Sequence, residues 1–273
     1  MVILQKHAQI LLKALLGRCS AIQDNDLQCS AIIFSPHQDD ETLGCGGTII
    51  KKKRAGAQIN IVFLTDGRHS HSHLMPEDQL KHIRSCEAVN AGRMMGLDER
   101  DIIFLDYESR MLDSYIKIAS EKVKEILISK EPELIYIPYH REDQPDHKLT
   151  NRIVYTALQG YPKKVVIYEY PIWFWSHWPW VANPIQRKKY SARYIVESAL
   201  SIIYLLKDFR WAVDVSGLID CKQAALEQYK SQMTRLMPDR KWMTLQDVSG
   251  GEFLQCFYDS NEIYHKVIWD GTT

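Results

Sequence analysis

Short apolar, β-branched runs alternate with longer helical segments through the first 170 residues, and this alternation constrains the fold more than any other feature. The runs predict strands at residues 30–34, 58–64, 101–105, 134–138 and 165–170. The intervening segments predict helices at about 43–55, 77–96, 113–129 and 147–159. Because strands joined by helices build parallel sheets covered on both faces, the sequence predicts an α/β, Rossmann-like, mostly parallel sheet.

The pattern changes after residue 170. An aromatic-rich segment is followed by predicted helices at about 187–206 and 218–235. Strands are predicted at about 210–215, 253–258 and 262–269. No linker rich in proline, glycine or serine marks a boundary. We therefore predict one domain over residues 1–273, made of a helical extension (1–28), a metal-binding α/β core (30–170) and a C-terminal, substrate-side elaboration (171–273).

Charge balance and cysteine content indicate which partners and which cellular compartment suit the protein. Lys and Arg total 34, as do Asp and Glu, and this neutral balance argues against nucleic acid as a partner. The six cysteines form no C-x-x-C pair, so their scatter favours free thiols in a reducing compartment, although an even count also permits disulfides. We expect a cytoplasmic location.

The N-terminal segment, residues 2–16, has apolar residues at helical spacing interrupted by Lys6 and Lys13. This pattern favours an amphipathic helix over a signal peptide. Membrane contact through this helix is the less favoured alternative to packing on the domain, and oligomer formation stays open. No apolar run reaches the ~20 residues that a spanning helix needs.

The first polar cluster directly follows the strand predicted at residues 30–34. It contains His37, Asp39, Asp40 and Glu41. In a parallel sheet such a loop lies at the functional edge, and one imidazole with a carboxylate suits zinc, while the neighbouring aspartate is free to act as a base. The alternative is that the acids only complement the dipole of the following helix, which leaves His37 unexplained.

Three glycines follow this cluster, at positions 44, 46 and 47. A dinucleotide-binding loop would need a further glycine where Ile49 stands, and its phosphates would meet the preceding acids. This argues against a nucleotide-binding oxidoreductase. We expect the glycines to permit a close approach of backbone to the site or to a neighbouring strand.

The second polar cluster, residues 139–147, follows the strand predicted at 134–138. His147 is the natural third metal ligand, and Asp146 or Glu142 is placed to orient a histidine ring. A solvated polar loop is the alternative. Two such clusters at the ends of two strands support each other.

At these residues the sequence resembles the PIG-L/LmbE-like family of zinc-dependent N-acetylglucosamine deacetylases. The family pattern P-H-x-D-D-E-x-x-G-x-G-G is matched by PHQDDETLGCGG at residues 36–47, and its later H-P-D-H by QPDH at 144–147. Weaker matches fall at 64–67, 84–87 and 222–232, so the resemblance spans about residues 30 to 235. It implies Zn²⁺ held by His37, Asp40 and His147, although another divalent transition metal is compatible. It further implies Asp39 as the base that activates water.

One departure concerns Gln144, where the family often has a histidine that assists the developing oxyanion. A side-chain amide donates a hydrogen bond but cannot deliver a proton. We expect Gln144 to stabilise the oxyanion and Asp39 to carry the proton to the leaving amine, with Tyr139 and His140 as open substitutes. A metal-binding protein left inert by Gln144 is the alternative function.

Three weaker signals remain. Arg84 matches a substrate-side family position, although a salt bridge with Glu87 explains it equally well. The histidines at 69, 71 and 73 lack an acid nearby in the sequence, which favours a loop at the rim of the site over a second metal. The aromatic residues of 168–180 are predicted to line a substrate pocket or to form core or interface, without preference.

These observations predict a hydrolase that removes the acetyl group from an N-acetylglucosamine-type amino sugar, free, oligomeric or conjugated. The sequence identifies a small-molecule substrate but leaves the group attached to the sugar undetermined.

Overall fold

The computed structural model describes residues 6–182 and 192–271. In these residues eight strands form one sheet. The strands are β1 (Ser20–Ala21), β2 (Ala31–Ser35), β3 (Ile59–Thr65), β4 (Ile102–Tyr107), β5 (Leu134–Pro138), β6 (Val165–Tyr170), β7 (Trp211–Asp214) and β8 (Asn261–Trp269). The α-helices are α1 (Lys6–Leu16), α2 (Asp24–Gln28), α3 (Asp40–Arg54), α4 (Glu77–Met94), α5 (Ile116–Lys130), α6 (Pro145–Leu158), α7 (Ala192–Asp208), α8 (Ile219–Leu226), α9 (Lys230–Met233) and α10 (Glu252–Gln255).

The strand order is β1-β7-β8-β6-β5-β2-β3-β4. All neighbouring pairs are parallel except β6 with β8 and β7 with β8. The chain builds outward from β2 to β4 on one side, then returns to β5 and β6 on the other. The crevice between the carboxyl ends of β2 and β5 is therefore a topological switch point, where open α/β sheets bind their ligands.

Alternation along the central strands divides the core into two layers. In β2, Ile32 and Phe34 pack into one buried cluster, whereas Ala31 and Ile33 pack into the other. Helices α5 and α6 cover the first face and α3 covers the second. Because β2 is buried on both faces, its run of apolar residues is continuous, as expected for a parallel sheet. The predicted fold class is confirmed.

Helix α3 packs closely against the sheet at two of its glycines. A Cβ atom on Gly44 would clash with the Tyr170 ring, and one on Gly47 would be 2.5 Å from Val215. The glycines of the first cluster therefore allow α3 to pack against β6 and against the loop after β7. This confirms the expected use of the glycines in a close backbone approach.

The C-terminal segment completes the sheet. β8 pairs with β6 and β7, and β7 pairs with β1. The strand predicted at 253–258 is wrong, because Glu252–Gln255 is helical and Cys256–Tyr258 is a 3₁₀ turn. The buried residues there are Phe253, Leu254 and Phe257, which is the spacing of a helical face and not of a strand.

The N-terminal helix packs on the domain through Ala8, Leu12 and Leu15, which agrees with the predicted amphipathic pattern. Residues 2–5 of that prediction, like residues 187–191 of the predicted helix at 187–206, lie outside the described residues. Within the described ranges, no helix combines the length and apolar character that crossing a bilayer requires. All six cysteines are free.

Candidate metal centre and active site

Both polar clusters lie at the switch point. The loop after β2 carries His37 and leads into α3, which begins at Asp40. The loop after β5 leads into α6, whose first turn contains Asp146 and His147. Since β2 and β5 are parallel neighbours, their carboxyl ends bring the two clusters together.

His37, Asp40 and His147 form a group able to hold a metal ion, with one ligand atom from each within 4.8 Å of the others. Asp40 Oδ2 lies 3.1 Å from His37 Nδ1 and 3.2 Å from His147 Nε2. These three side chains are the predicted metal ligands, and together they form the candidate metal group of the site.

Further carboxylates face the outer nitrogens of the two rings. Asp146 Oδ2 lies 3.1 Å from His37 Nε2 and also accepts a hydrogen bond from the backbone N–H of Arg110. Glu142 Oε2 lies 3.7 Å from His147 Nδ1. A carboxylate hydrogen-bonded to a histidine ring fixes its tautomer and orientation, and Asp146 is placed to do this for His37. Glu142 lies beyond hydrogen-bond distance of His147, and its oxygens accept from the backbone N–H groups of residues 172–174. Of the two acids expected to orient a ring, Asp146 has the geometry for it.

The residues present fit a bound cation. His147 is fully buried, yet neither of its ring nitrogens has a hydrogen-bond partner within the described part of the chain. A buried imidazole whose nitrogens make no hydrogen bond is costly, since the carboxylates of Asp40 and Glu142 lie near them without hydrogen-bond geometry, and a metal ion would satisfy Nε2. Burial opposes the positive charge of His37, but hydrogen bonds to Asp146 and Asp40 outweigh it and raise the pKa of His37 to about 10. The cluster thus attracts a cation.

Asp39 lies beside this group without being part of it. It precedes α3 with a φ of 137°, its side chain makes no capping hydrogen bond to that helix, and its N–H donates to Glu41 Oε2 at 3.1 Å. Burial raises the pKa of the Asp39 carboxyl, and the nearby Arg84 guanidinium opposes that rise. A buried carboxylate with a raised pKa is suited to accepting a proton near neutral pH.

Arg84 is buried on α4 and points into the same site. Its Nη2 lies 3.6 Å from Asp39 Oδ1 and donates to the backbone oxygen of Gln38. Glu87 instead accepts hydrogen bonds from the N–H and hydroxyl of Ser231, at 2.7 and 2.6 Å. The alternative that Arg84 serves only to pair with Glu87 does not account for this geometry.

Gln144 is the N-cap residue of α6, but its side chain makes no capping hydrogen bond. The side chain is exposed and lines the pocket above the metal group. Tyr139 and His140 do not line it, because the Tyr139 hydroxyl donates to Asp208 at 2.5 Å and His140 Nδ1 lies 2.6 Å from Glu169. Their use as substitutes for Gln144 does not fit this arrangement.

The pocket has a volume of about 450 Å³. Several residues that line the pocket were not predicted from the sequence as site residues, among them Arg110, Gln232, Met243, Thr244, Leu245 and Phe253. Gln232 falls within a weak family match, and its position there was the one available signal. Residues 243–245 carry no recognisable pattern and reach the site only through the tertiary fold.

The histidine loop does lie at the rim, since His69 and His71 line the pocket. Contrary to the sequence-based view, His69 has acidic neighbours: Glu77 at 3.2 Å and Glu108 at 2.9 Å. The metal-competent groups found among the described residues do not include these histidines.

Most aromatic residues after β6 belong to the core. Trp175 and Trp180 are buried and pack edge to face, with ring centroids 4.8 Å apart. Trp173 instead lines the pocket and stacks on Phe253 at 4.9 Å. The segment therefore serves both of the predicted purposes.

The fold and the site define a class of protein: a Rossmann-like α/β domain with a His₂–carboxylate metal group at the switch point of its sheet. Residues 32–158 match the PIG-L family, described as GlcNAc-PI de-N-acetylase. This match confirms the predicted resemblance to that family.

Two relatives are similar in sequence. The chain is 26% identical over 140 residues to a probable N-acetyl-alpha-D-glucosaminyl L-malate deacetylase 2 of Bacillus cereus, covering 49% of this chain and 62% of that protein. It is 26% identical over 230 residues to a 1D-myo-inositol 2-acetamido-2-deoxy-alpha-D-glucopyranoside deacetylase of a Mycobacterium species (strain KMS), covering 72% of each. The match to the Bacillus relative thus spans less than two thirds of its length.

A solved structure shares the fold over almost the whole chain. The N,N'-diacetylchitobiose deacetylase from Pyrococcus horikoshii superposes with a TM-score of 0.63 at 19% identity, covering 99% of this chain and 94% of that one. At this identity the likeness concerns the fold alone.

Proposed function

We propose that this protein is a zinc-dependent hydrolase that removes the acetyl group from an N-acetylglucosamine-type amino sugar, releasing acetate and the amine. One observation carries the proposal. Asp39, with a raised pKa, lies beside the metal group of His37, Asp40 and His147 without being one of its ligands. A base next to a metal group is the arrangement that amide hydrolysis by water requires.

Zinc fits the ligand chemistry. Two imidazoles and one carboxylate are a catalytic zinc set, because three protein ligands leave a coordination position open. The ion would supply Lewis-acid polarisation of the amide carbonyl and would lower the pKa of the attacking water.

The chain's own residues would carry the remaining steps. Asp39 accepts the proton of the attacking water and returns it to the leaving nitrogen when the C–N bond breaks. The side-chain N–H of Gln144 donates to the oxyanion that develops on the former carbonyl oxygen. Arg84 lines the same wall, where its guanidinium orients Asp39 and faces the substrate.

The pocket supports an amino sugar as substrate. A volume of about 450 Å³ lies within the range of small-molecule sites. Trp173 offers an aromatic face to a sugar ring, and Arg110 and Gln232 bring polar groups to the same cavity. The relatives named above act on N-acetylated glucosamine units by their names, which supports the same substrate class for this chain.

We also propose a single domain and a cytoplasmic location for the protein. The first is supported by the sheet, which continues from the core into the C-terminal segment through β8. The second is supported by the six free cysteines.

The test is a substrate panel. The zinc-loaded protein is incubated with free, malate-linked, inositol-linked and oligomeric N-acetylglucosamine, and the released primary amine is measured. We expect release from at least one conjugate, abolished in His37→Ala. A zinc-loaded protein that releases no amine from any of them would favour the inert metal-binding alternative.

A further inference from the structure

A second group of side chains with metal-ligating atoms lies apart from the pocket. His140, Glu169 and His265 each place one ligand atom within 4.8 Å of the others. Glu169 on β6 and His265 on β8 are direct cross-strand partners, and His140 follows β5 by two residues. Because two of the three positions are fixed by the sheet register, the group is held on rigid elements.

Glu169 is a buried carboxylate whose two oxygens contact different groups. Its Oε1 accepts hydrogen bonds from Asn151 Nδ2 at 3.1 Å and the Tyr155 hydroxyl at 3.0 Å. Its Oε2 faces His140, 2.6 Å from Nδ1 and 3.3 Å from the backbone N–H. Only 1% of the residue is exposed, and a carboxylate buried to this degree needs a cation or strong donors to offset its lost hydration.

The ring of His265 is set in the form that binds metals. Its Nδ1 lies 2.9 Å from the backbone oxygen of Asp208. A carbonyl oxygen can only accept, so Nδ1 carries the proton and the lone pair remains on Nε2. A backbone carbonyl behind a histidine is a common way of fixing the tautomer of a metal ligand.

We propose that His140, Glu169 and His265 bind a second divalent metal ion, with zinc as the preferred one. Two imidazoles and a carboxylate are zinc ligands, and the half-buried histidines leave a coordination position open to solvent. The site does not depend on the proposed deacetylase activity, because none of its three residues lines the pocket. A bound ion would tie the loop after β5 to β6 and β8.

Metal stoichiometry tests the proposal. The full chain is stripped with a chelator, reloaded with Zn²⁺, freed of excess metal by gel filtration and analysed for zinc per chain. We expect two equivalents for the wild type and one for His265→Ala, His140→Ala and the isosteric Glu169→Gln. His37→Ala should also hold one, and His37→Ala/His265→Ala none.

His7→Ala is the matched control, since His7 is an exposed histidine outside both groups, and it should hold two equivalents. Co²⁺ loading gives an independent readout, because bound Co²⁺ absorbs visible light. In His265→Ala this absorption should fall by the contribution of one bound ion. One equivalent in both the wild type and His265→Ala would overturn the proposal and leave His140 and Glu169 as an ion pair. Two equivalents retained in His265→Ala would overturn it as well. The His37→Ala count and the amine-release assay report on the first site separately.

Discussion

Asp39 occupies a backbone conformation that residues other than glycine rarely adopt, with φ at 137°. Such conformations cost on the order of 1–3 kcal/mol and persist where the surroundings hold them. Here the hydrogen bond to Glu41 and the proximity of Arg84 hold the residue. Asp39 therefore lies outside the candidate metal-binding group that includes its neighbour Asp40, and the proposed function gives the two carboxylates different roles.

This difference predicts the behaviour of Asp39→Asn. The amide cannot accept the water proton, so turnover should fall by about 10²–10⁴-fold, while zinc content stays at the wild-type level. Steady-state rates and elemental analysis on the same preparation provide the check. Loss of zinc together with activity would mean that the roles of the two aspartates are reversed.

Gln144 predicts a second result. Its side chain lines the pocket and does not cap α6, so Gln144→Ala should lower the turnover number by about 10²–10³-fold and leave metal binding intact. Gln144→His should stay active and add an ionisation near pH ~6.5 to the pH–rate profile. An alanine variant within a few-fold of the parent would remove Gln144 from the mechanism.

At the scale of elements, the packing of α3 follows from its glycines. The Tyr170 ring that Gly44 contacts is fully buried, and its hydroxyl donates to the Phe34 backbone oxygen at 2.8 Å. The ring therefore cannot move aside for a larger residue. The position of α3 sets the position of Asp40, so this packing also supports the metal group.

Gly44→Ala should consequently lower the free energy of unfolding by about 1–3 kcal/mol, as overpacking does in a tight core. Denaturant unfolding measures the change. Gly217→Ala is the control, since a Cβ there meets nothing within 4 Å, and its effect should stay within about 0.5 kcal/mol. Equal effects of both substitutions would contradict the packing account.

The sequence predicts those elements whose signal is local. The predicted bounds of the strands 134–138 and 165–170 equal the observed ones. Each is a short, buried run rich in β-branched and aromatic residues between polar segments, so its ends are marked in the sequence. At 253–258 a short apolar pattern fits either strand or helix, and tertiary packing decided for helix. The meeting of His37 and His147 with an aspartate was predictable because both clusters follow strands, while the choice of Asp40 over Asp39 came from the family resemblance. Thr244 and Leu245, by contrast, reach the pocket through contacts that no local pattern encodes.

For the whole molecule, the position of β8 matters most. It pairs with β6, while β1 pairs with β7, so the sheet cannot divide into an N-terminal and a C-terminal unit without breaking the β6–β8 and β1–β7 pairs. The C-terminal segment also contributes Gln232, Thr244 and Leu245 to the pocket. The pocket is therefore built from residues of both the α/β core and the C-terminal segment.

Thermal unfolding should accordingly show one cooperative transition, with calorimetric and van't Hoff enthalpies in a ratio of about 1. A fragment of residues 30–170 should fail to fold, because one of the two buried clusters would lose the residues that it takes from beyond position 170, among them Phe209, Val215 and Tyr264. Calorimetry of the chain and circular dichroism of the fragment provide the measurements. Two separate transitions, or a folded fragment, would refute the single domain.

Hydrolysis of an acetamide on an amino sugar yields two products, and measuring both in parallel tests the proposed function most directly. Acetate and free amine are quantified over time from the best conjugate of the panel, with zinc-loaded wild type, Asp39→Asn and His37→Ala side by side. We predict acetate and amine in equal amounts from the wild type, about 10²–10⁴-fold less from Asp39→Asn at full zinc content, and neither from His37→Ala. Release of amine without acetate, or equal rates from all three proteins, would contradict the account.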